Sequence, residues 1–233
     1  MKHVVMNRLA LWGLVVSLSV MLASCCCMKC CKKEASERPP CESEGDGWVS
    51  VFNGKDLTGW EVMGRAKDAF YAEDGVLACN GKGGEWIRYT EELDNFVLQL
   101  EYKISRRANS GVFLRSQEKG HPAYTGFEVQ ILDDHGSPAN THVSGAIYDV
   151  VAPTKNMSKP MGEWNAFEIT CDGPKVIVAL NGTKVVDINL DEFTEPIGKF
   201  KTPYAQLPRK GYIGLQDHGY RLWFRNIRVK KLP

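Results

Sequence analysis

The sequence predicts an all-β domain built as a two-sheet antiparallel sandwich or jelly roll. Three observations carry this. Short runs alternate apolar and polar residues with the period of a strand, glycine-rich turn signals separate them, and no stretch of eleven or more residues repeats every 3.6. The clearest runs are VLQLEYKI (97–104), SGVFLRS (110–116), GFEVQIL (126–132), AFEITC (166–171), VIVAL (176–180), KVVDI (184–188), YIGLQD (212–217) and RLWFRNIRVKKL (221–232). Asn181-Gly182 between two of them is a strong hairpin signal. Asp74-Gly75, Asp172-Gly173 and His218-Gly219 mark further turns, and Pro196 interrupts EFTEPIGKF (192–200).

The domain is preceded by other material. Residues 1–24 read as a secretory signal: Lys2 and Arg8 give a basic start, and an apolar run from Leu9 to Leu22 is too short to span a membrane. Leu22-Ala23-Ser24-Cys25 resembles the bacterial lipobox, so Cys25 is expected to be lipidated after cleavage before it. Residue 26 is Cys rather than Asp, which points to the outer membrane rather than retention at the inner one. Residues 25–47, ending in KKEASERPPCESEGDG, have too little apolar surface to build a core and read as a flexible tether. The folded domain spans residues 48–233, a size that buries an ample core.

Charge and cysteine usage narrow the function. Removing Lys2 and Arg8 from the 29 basic residues leaves 27 against 28 acidic, a net of −1. Nucleic acid is therefore not an expected partner, because phosphate binding needs a positive field. Of eight cysteines, only Cys79 and Cys171 fall within the domain. Alternation turns both toward the core, as buried thiols in preference to a disulfide.

The same alternation selects candidate site residues. On GFEVQIL, Phe127, Val129 and Ile131 form the core stripe, so Glu128 and Gln130 face the other way. On SGVFLRS, Val112 and Leu114 point inward and Phe113 and Arg115 outward; on GYIGLQDHG, Ile213 and Leu215 oppose Gln216 and His218. A carboxylate, a guanidinium, an imidazole and two amides are thus expected on one outward surface.

Several segments carry a resemblance. FNGKDLTGW (52–60), NSGVFLR (109–115), GFEVQILD (126–133), GAIY (145–148), PMGEWN (160–165), LNG (180–182), GLQDHG (214–219) and FRNI (224–227) occur in order across nearly the whole domain. In these the chain resembles the bacterial 3-keto-disaccharide hydrolase domain family. The resemblance implies a concanavalin-A-like jelly roll acting on sugars whose C3 hydroxyl is oxidised to a ketone. Arg88-Tyr89 and EKGHPAYT (118–125) depart from the pattern, fall in expected loops and bear on substrate preference.

A C3 ketone acidifies the C2 proton and places the glycosidic oxygen β to the carbonyl, so a base can drive elimination of the aglycone, with or without later addition of water. His218 suits the base role, since its ordinary pKa lies near working pH. Glu128 can share in proton transfer if burial raises its pKa. Arg115 is assigned to the developing oxyanion. Asn109, Gln130, Asp133, Tyr148 and Gln216 are the candidate substrate-binding residues. No cofactor is required by this route, although Glu128, Asp133 and His218 could hold a divalent cation. Two other readings stand beside it. Glu128-x-Gln130-x-x-Asp133 is similar to the catalytic strand of direct glycoside hydrolases on this fold, with an amide at the middle carboxylate. A non-catalytic carbohydrate-binding surface lipoprotein would instead use Trp60, Trp86, Trp164 and Trp223 as stacking platforms.

Overall fold

The computed structural model describes residues 43–44, 46–83 and 85–233. The signal, the Cys25 anchor and most of the tether expected from the sequence lie outside the described residues. Fourteen strands follow one another: β1 (Ser43–Glu44), β2 (Trp48–Ser50), β3 (Trp60–Val62), β4 (Phe70–Glu73), β5 (Val76–Asn80), β6 (Glu85–Tyr89), β7 (Phe96–Ile104), β8 (Asn109–Ser116), β9 (Phe127–Leu132), β10 (Asn165–Asp172), β11 (Lys175–Leu180), β12 (Thr183–Asn189), β13 (Tyr212–Asp217) and β14 (Arg221–Lys231). One short helix, α1 (Pro122–Thr125), precedes β9.

The strands form two antiparallel sheets. The larger runs β1-β2-β14-β7-β10-β11-β12, with β5 and β4 continuing from the first half of β14. The smaller runs β3-β6-β13-β8-β9. Alternation builds the core between them: Leu98, Leu100, Tyr102 and Ile104 of β7 and Phe167 and Ile169 of β10 meet Val112, Leu114, Phe127, Val129, Ile131, Ile213 and Leu215 from the smaller sheet. This is the expected two-sheet sandwich. Asn181 and Gly182 have φ of +52° and +80°, and Asp74 and Gly75 have +49° and +77°, the pair of left-handed residues that a two-residue hairpin requires. Cys79 and Cys171 are buried free thiols, as the alternation implies, and burial pushes both pKa values up to about 12.

Two expectations about loops are corrected. Arg88-Tyr89 lies within β6, because Ile87 plugs into the core between two outward residues. HPAYT is helical for one turn, with Pro122 at a position where its missing N–H is harmless and the His121 ring accepting from Ala123 N.

Candidate active site

A pocket of about 500 Å³ opens on the face of the smaller sheet that points away from the core. Its floor is made by the outward positions of three neighbouring strands: Trp86 of β6, Gln216 of β13 and Asn109 and Phe113 of β8. Two glycines make this floor possible. A Cβ at Gly214 would stand 2.4 Å from the Trp86 ring, so the indole packs this close to β13 only because Gly214 has none. A Cβ at Gly111 would stand 2.1 Å from Glu128 Oε1. The missing side chain of β8 is the space that the carboxyl of β9 occupies.

Glu128 and Gln130 are far from ordinary wet surface, being only 5% and 2% exposed. The free edge of β9 is covered by the chain that follows it. Gln130 N donates to Ala146 O, Gly145 N to Gln130 O and Tyr148 N to Glu128 O, each at 2.9–3.0 Å. Asp134 fastens this covering segment, accepting from Ser144 N at 2.6 Å, Ser144 Oγ at 3.1 Å and Ser158 Oγ at 2.9 Å. Burial pushes the Glu128 pKa up to about 8, against the pull of the Lys199 ammonium. At neutral pH this carboxyl is therefore mostly protonated. The Gln130 amide meets that of Asn109 at 3.0 Å and, with its NH2 turned the other way, reaches Glu128 Oε1 at 3.3 Å.

The remaining walls come from irregular segments. Tyr148 ends the covering segment, with the His142 ring edge-on at 5.2 Å and Lys199 Nζ 4.2 Å from its ring centre. Before and within α1, His121 and Tyr124 stack at 4.9 Å, and the His121 ring stands edge-on to Phe113 at 6.4 Å. His218 lies exposed at the rim, on the turn after β13. Asp217 holds that turn. Its two oxygens accept from Gly83 N at 3.0 Å and Gly219 N at 2.8 Å.

Of the residues selected from the sequence, Glu128, His218, Asn109, Gln130, Tyr148 and Gln216 line this one pocket. Arg115 and Asp133 do not. A β-bulge between β8 and β13, with Arg115 at φ +52°, breaks the alternation that put Arg115 beside Phe113. The guanidinium turns away, 1% exposed, and donates to Asp94 O at 2.8 and 3.1 Å and to Gly173 O at 2.6 Å. It ties two loops together. Asp133 Oδ2 accepts from Arg107 N at 2.7 Å, at the turn between β7 and β8. The trio Glu128, Asp133 and His218 is accordingly not assembled, and among the described residues no group of three or more His, Cys, Asp or Glu side chains is arranged for a metal ion.

The sequence reading missed His121, Tyr124 and Lys199. None sits on a strand, so alternation said nothing about them. A weak local signal existed in His121-Pro122, an N-cap followed by proline at the first helical position. Trp60 is buried, its indole N–H donating to Val51 O at 2.7 Å, and among the described tryptophans only Trp86 lines the pocket. Trp164 and Trp223 face Lys103 at 5.0 and 4.8 Å on the outside of the larger sheet.

Fold and pocket together define the class: a jelly-roll sandwich with a polar, aromatic-floored site on the outer face of its smaller sheet. The chain belongs to the family of 3-keto-alpha-glucoside-1,2-lyase-like domains, whose model matches residues 47–230. It is 30% identical to a 3-keto-disaccharide hydrolase of Bacteroides thetaiotaomicron, over 81% of this chain and 80% of that one. It is also similar to a crystal structure of a putative glycosyl hydrolase from Parabacteroides distasonis, with 32% identity and a TM-score of 0.71, covering 79% of this chain and 99% of the other. A carbohydrate-binding module from Bacillus subtilis shares the fold at 13% identity, with a TM-score of 0.52 over 76% of this chain and 98% of the module.

Proposed function

We propose that the pocket cleaves glycosidic bonds of glycosides or disaccharides carrying a ketone at C3, by removal of the C2 proton and elimination of the aglycone. The observation that carries the reading is the lone available carboxyl. Direct glycoside hydrolysis needs two carboxyl groups flanking the bond. Only Glu128 and Asp217 among the pocket residues carry one, and both Asp217 oxygens are held by backbone N–H groups. Elimination needs one base, one acid and a stabiliser of the enolate. Family membership and the names of the relatives support glycoside cleavage; the C3 ketone supplies the route by which one protonated carboxyl is enough.

The steps assign themselves by charge. His218 removes the C2 proton, and the electron pair of that C–H bond forms the enolate with its charge on the ketone oxygen. As the enolate collapses, the C1–O bond breaks and a C1–C2 double bond forms, giving a 3-keto-glycal. Glu128 arrives protonated and delivers its proton to the departing glycosidic oxygen. Addition of water across the new double bond completes a net hydrolysis. Lys199, the only lysine or arginine lining the pocket, takes the electrostatic role first given to Arg115. Asn109, Gln130, Gln216 and Tyr148 bind hydroxyls, and the Trp86 face carries the apolar side of the ring.

A non-catalytic binding module would also use Trp86. It gives no reason to bury a carboxyl at the site in a form that holds its proton at neutral pH. The test compares a 3-keto-glucoside with its unoxidised parent in D2O. The keto form should be cleaved, with solvent deuterium entering at C2, and the parent should be inert. Equal rates on both would restore direct hydrolysis, and binding without turnover would restore the module.

A further inference from the structure

Resting on that reading, we propose that His121 is a catalytic residue, a neutral imidazole of fixed tautomer that donates its Nε2–H to the substrate's ketone oxygen. Three geometric facts lead there. His121 lines the pocket, on the wall formed by the approach to α1, next to the Trp86–Phe113 floor. Its Nδ1 is already used, accepting from Ala123 N at 3.3 Å as the cap of α1. A ring nitrogen that accepts an N–H cannot carry a proton itself, so the single proton of the neutral ring sits on Nε2. The ring is also held between Phe113 and Tyr124, which limits its rotation to the plane that the cap contact requires.

The electrostatic surroundings agree. Partial burial and the positive charge of Lys199 both lower the His121 pKa, so the ring resists becoming an imidazolium. A neutral N–H donor is the appropriate partner for an enolate. Its acidity lies closer to that of the enol, and it polarises the ketone without leaving its own proton behind. The lysine that keeps His121 neutral then adds the long-range positive charge that the enolate needs. The short segment EKGHPAYT thus supplies the donor that strand alternation had assigned to Arg115. Capping and chemistry use opposite nitrogens of the same ring.

The full chain has five histidines, so labelling them with 15N gives a spectrum in which His121 is identified by its loss in His121→Asn. Asparagine is chosen because its side-chain oxygen still caps α1. At pH 7 the His121 signals should be those of the neutral Nε2–H tautomer, and they should move when a 3-keto-glucoside is added. His121→Asn should lower kcat by about a hundredfold with KM changed less than about threefold, as expected for a donor whose contact strengthens in the transition state. An Nδ1–H tautomer, an imidazolium at pH 7, or undiminished turnover of His121→Asn while the wild type cleaves the keto sugar would overturn the assignment and leave the elimination reading standing. A wild type inert toward every 3-keto-glucoside would remove both.

Discussion

Glu128 is where sequence logic and structure meet most closely, and where they part. Its direction follows from the period of a strand, since Phe127 and Val129 are drawn into the core on either side of it. Its burial does not follow, because the cover comes from Gly145 to Tyr148, residues with no periodic relation to β9. The burial has two measurable consequences, both of which weaken as pH rises. As the general acid, Glu128 must be protonated, so kcat/KM should fall above pH 8 as the carboxyl ionises near its pKa of about 8. Glu128→Gln should remove that alkaline limb and lower turnover by roughly a hundredfold or more. Stability falls in the same direction over a lower range of pH. A carboxyl whose pKa is raised by folding contributes stability that is complete below its ordinary range near pH 4.5 and lost as pH rises toward 8. Glu128→Gln should therefore melt with the wild type at pH 4 and be more stable at pH 8, by on the order of 1–3 kcal/mol. A variant less stable than wild type at pH 8 would mean that the carboxylate is held by partners, and that the acid role is misassigned.

At the scale of elements, the long strands were legible and the short ones were not. β7 to β14 each carry enough alternating residues to declare a period, and Asn181-Gly182 and Asp172-Gly173 mark the hairpins on either side of β11. β2 to β6 have three to five residues each, too few for a pattern to stand out, and their pairing is imposed by the edges of β13 and β14. The bulge in β8 is the case where a correct strand still gave a wrong face. One extra residue opposite β13 rotates everything after Leu114, so Arg115 leaves the site and becomes a fastener for the loops at Asp94 and Gly173. Arg115→Lys tests this. A single ammonium cannot reproduce the fork that serves both carbonyls, so the variant should lose on the order of 2–4 kcal/mol in a denaturant titration. Its kcat per folded molecule should stay within about threefold of wild type, a change too small for a lost oxyanion donor. A large fall in kcat with an unchanged midpoint would return Arg115 to the chemistry.

For the molecule as a whole, what remains is the membrane attachment proposed from the sequence. Among the described residues no helix is long and apolar enough to cross a membrane. The mature chain expected from the sequence carries a net charge of −1, which offers no electrostatic hold on an anionic bilayer. The attachment proposed from Leu22-Ala23-Ser24-Cys25 places the lipid on one sulfur atom. Lipid chains on Cys25 would hold the protein through high salt, because their attachment comes from buried methylenes and is not screened. Cys25→Ala removes the acceptor for the lipid and leaves the domain's own surface unchanged. Wild type should sediment with membranes before and after a salt wash. The variant should appear in the soluble fraction, or persist as an uncleaved precursor of higher mass. Its activity on a 3-keto-glucoside should match that of the wild type, since the described residues that line the pocket begin at Met63. A variant of mature size that still pellets with membranes, and resists the same wash, would place the attachment in the domain itself and end the case for the lipobox.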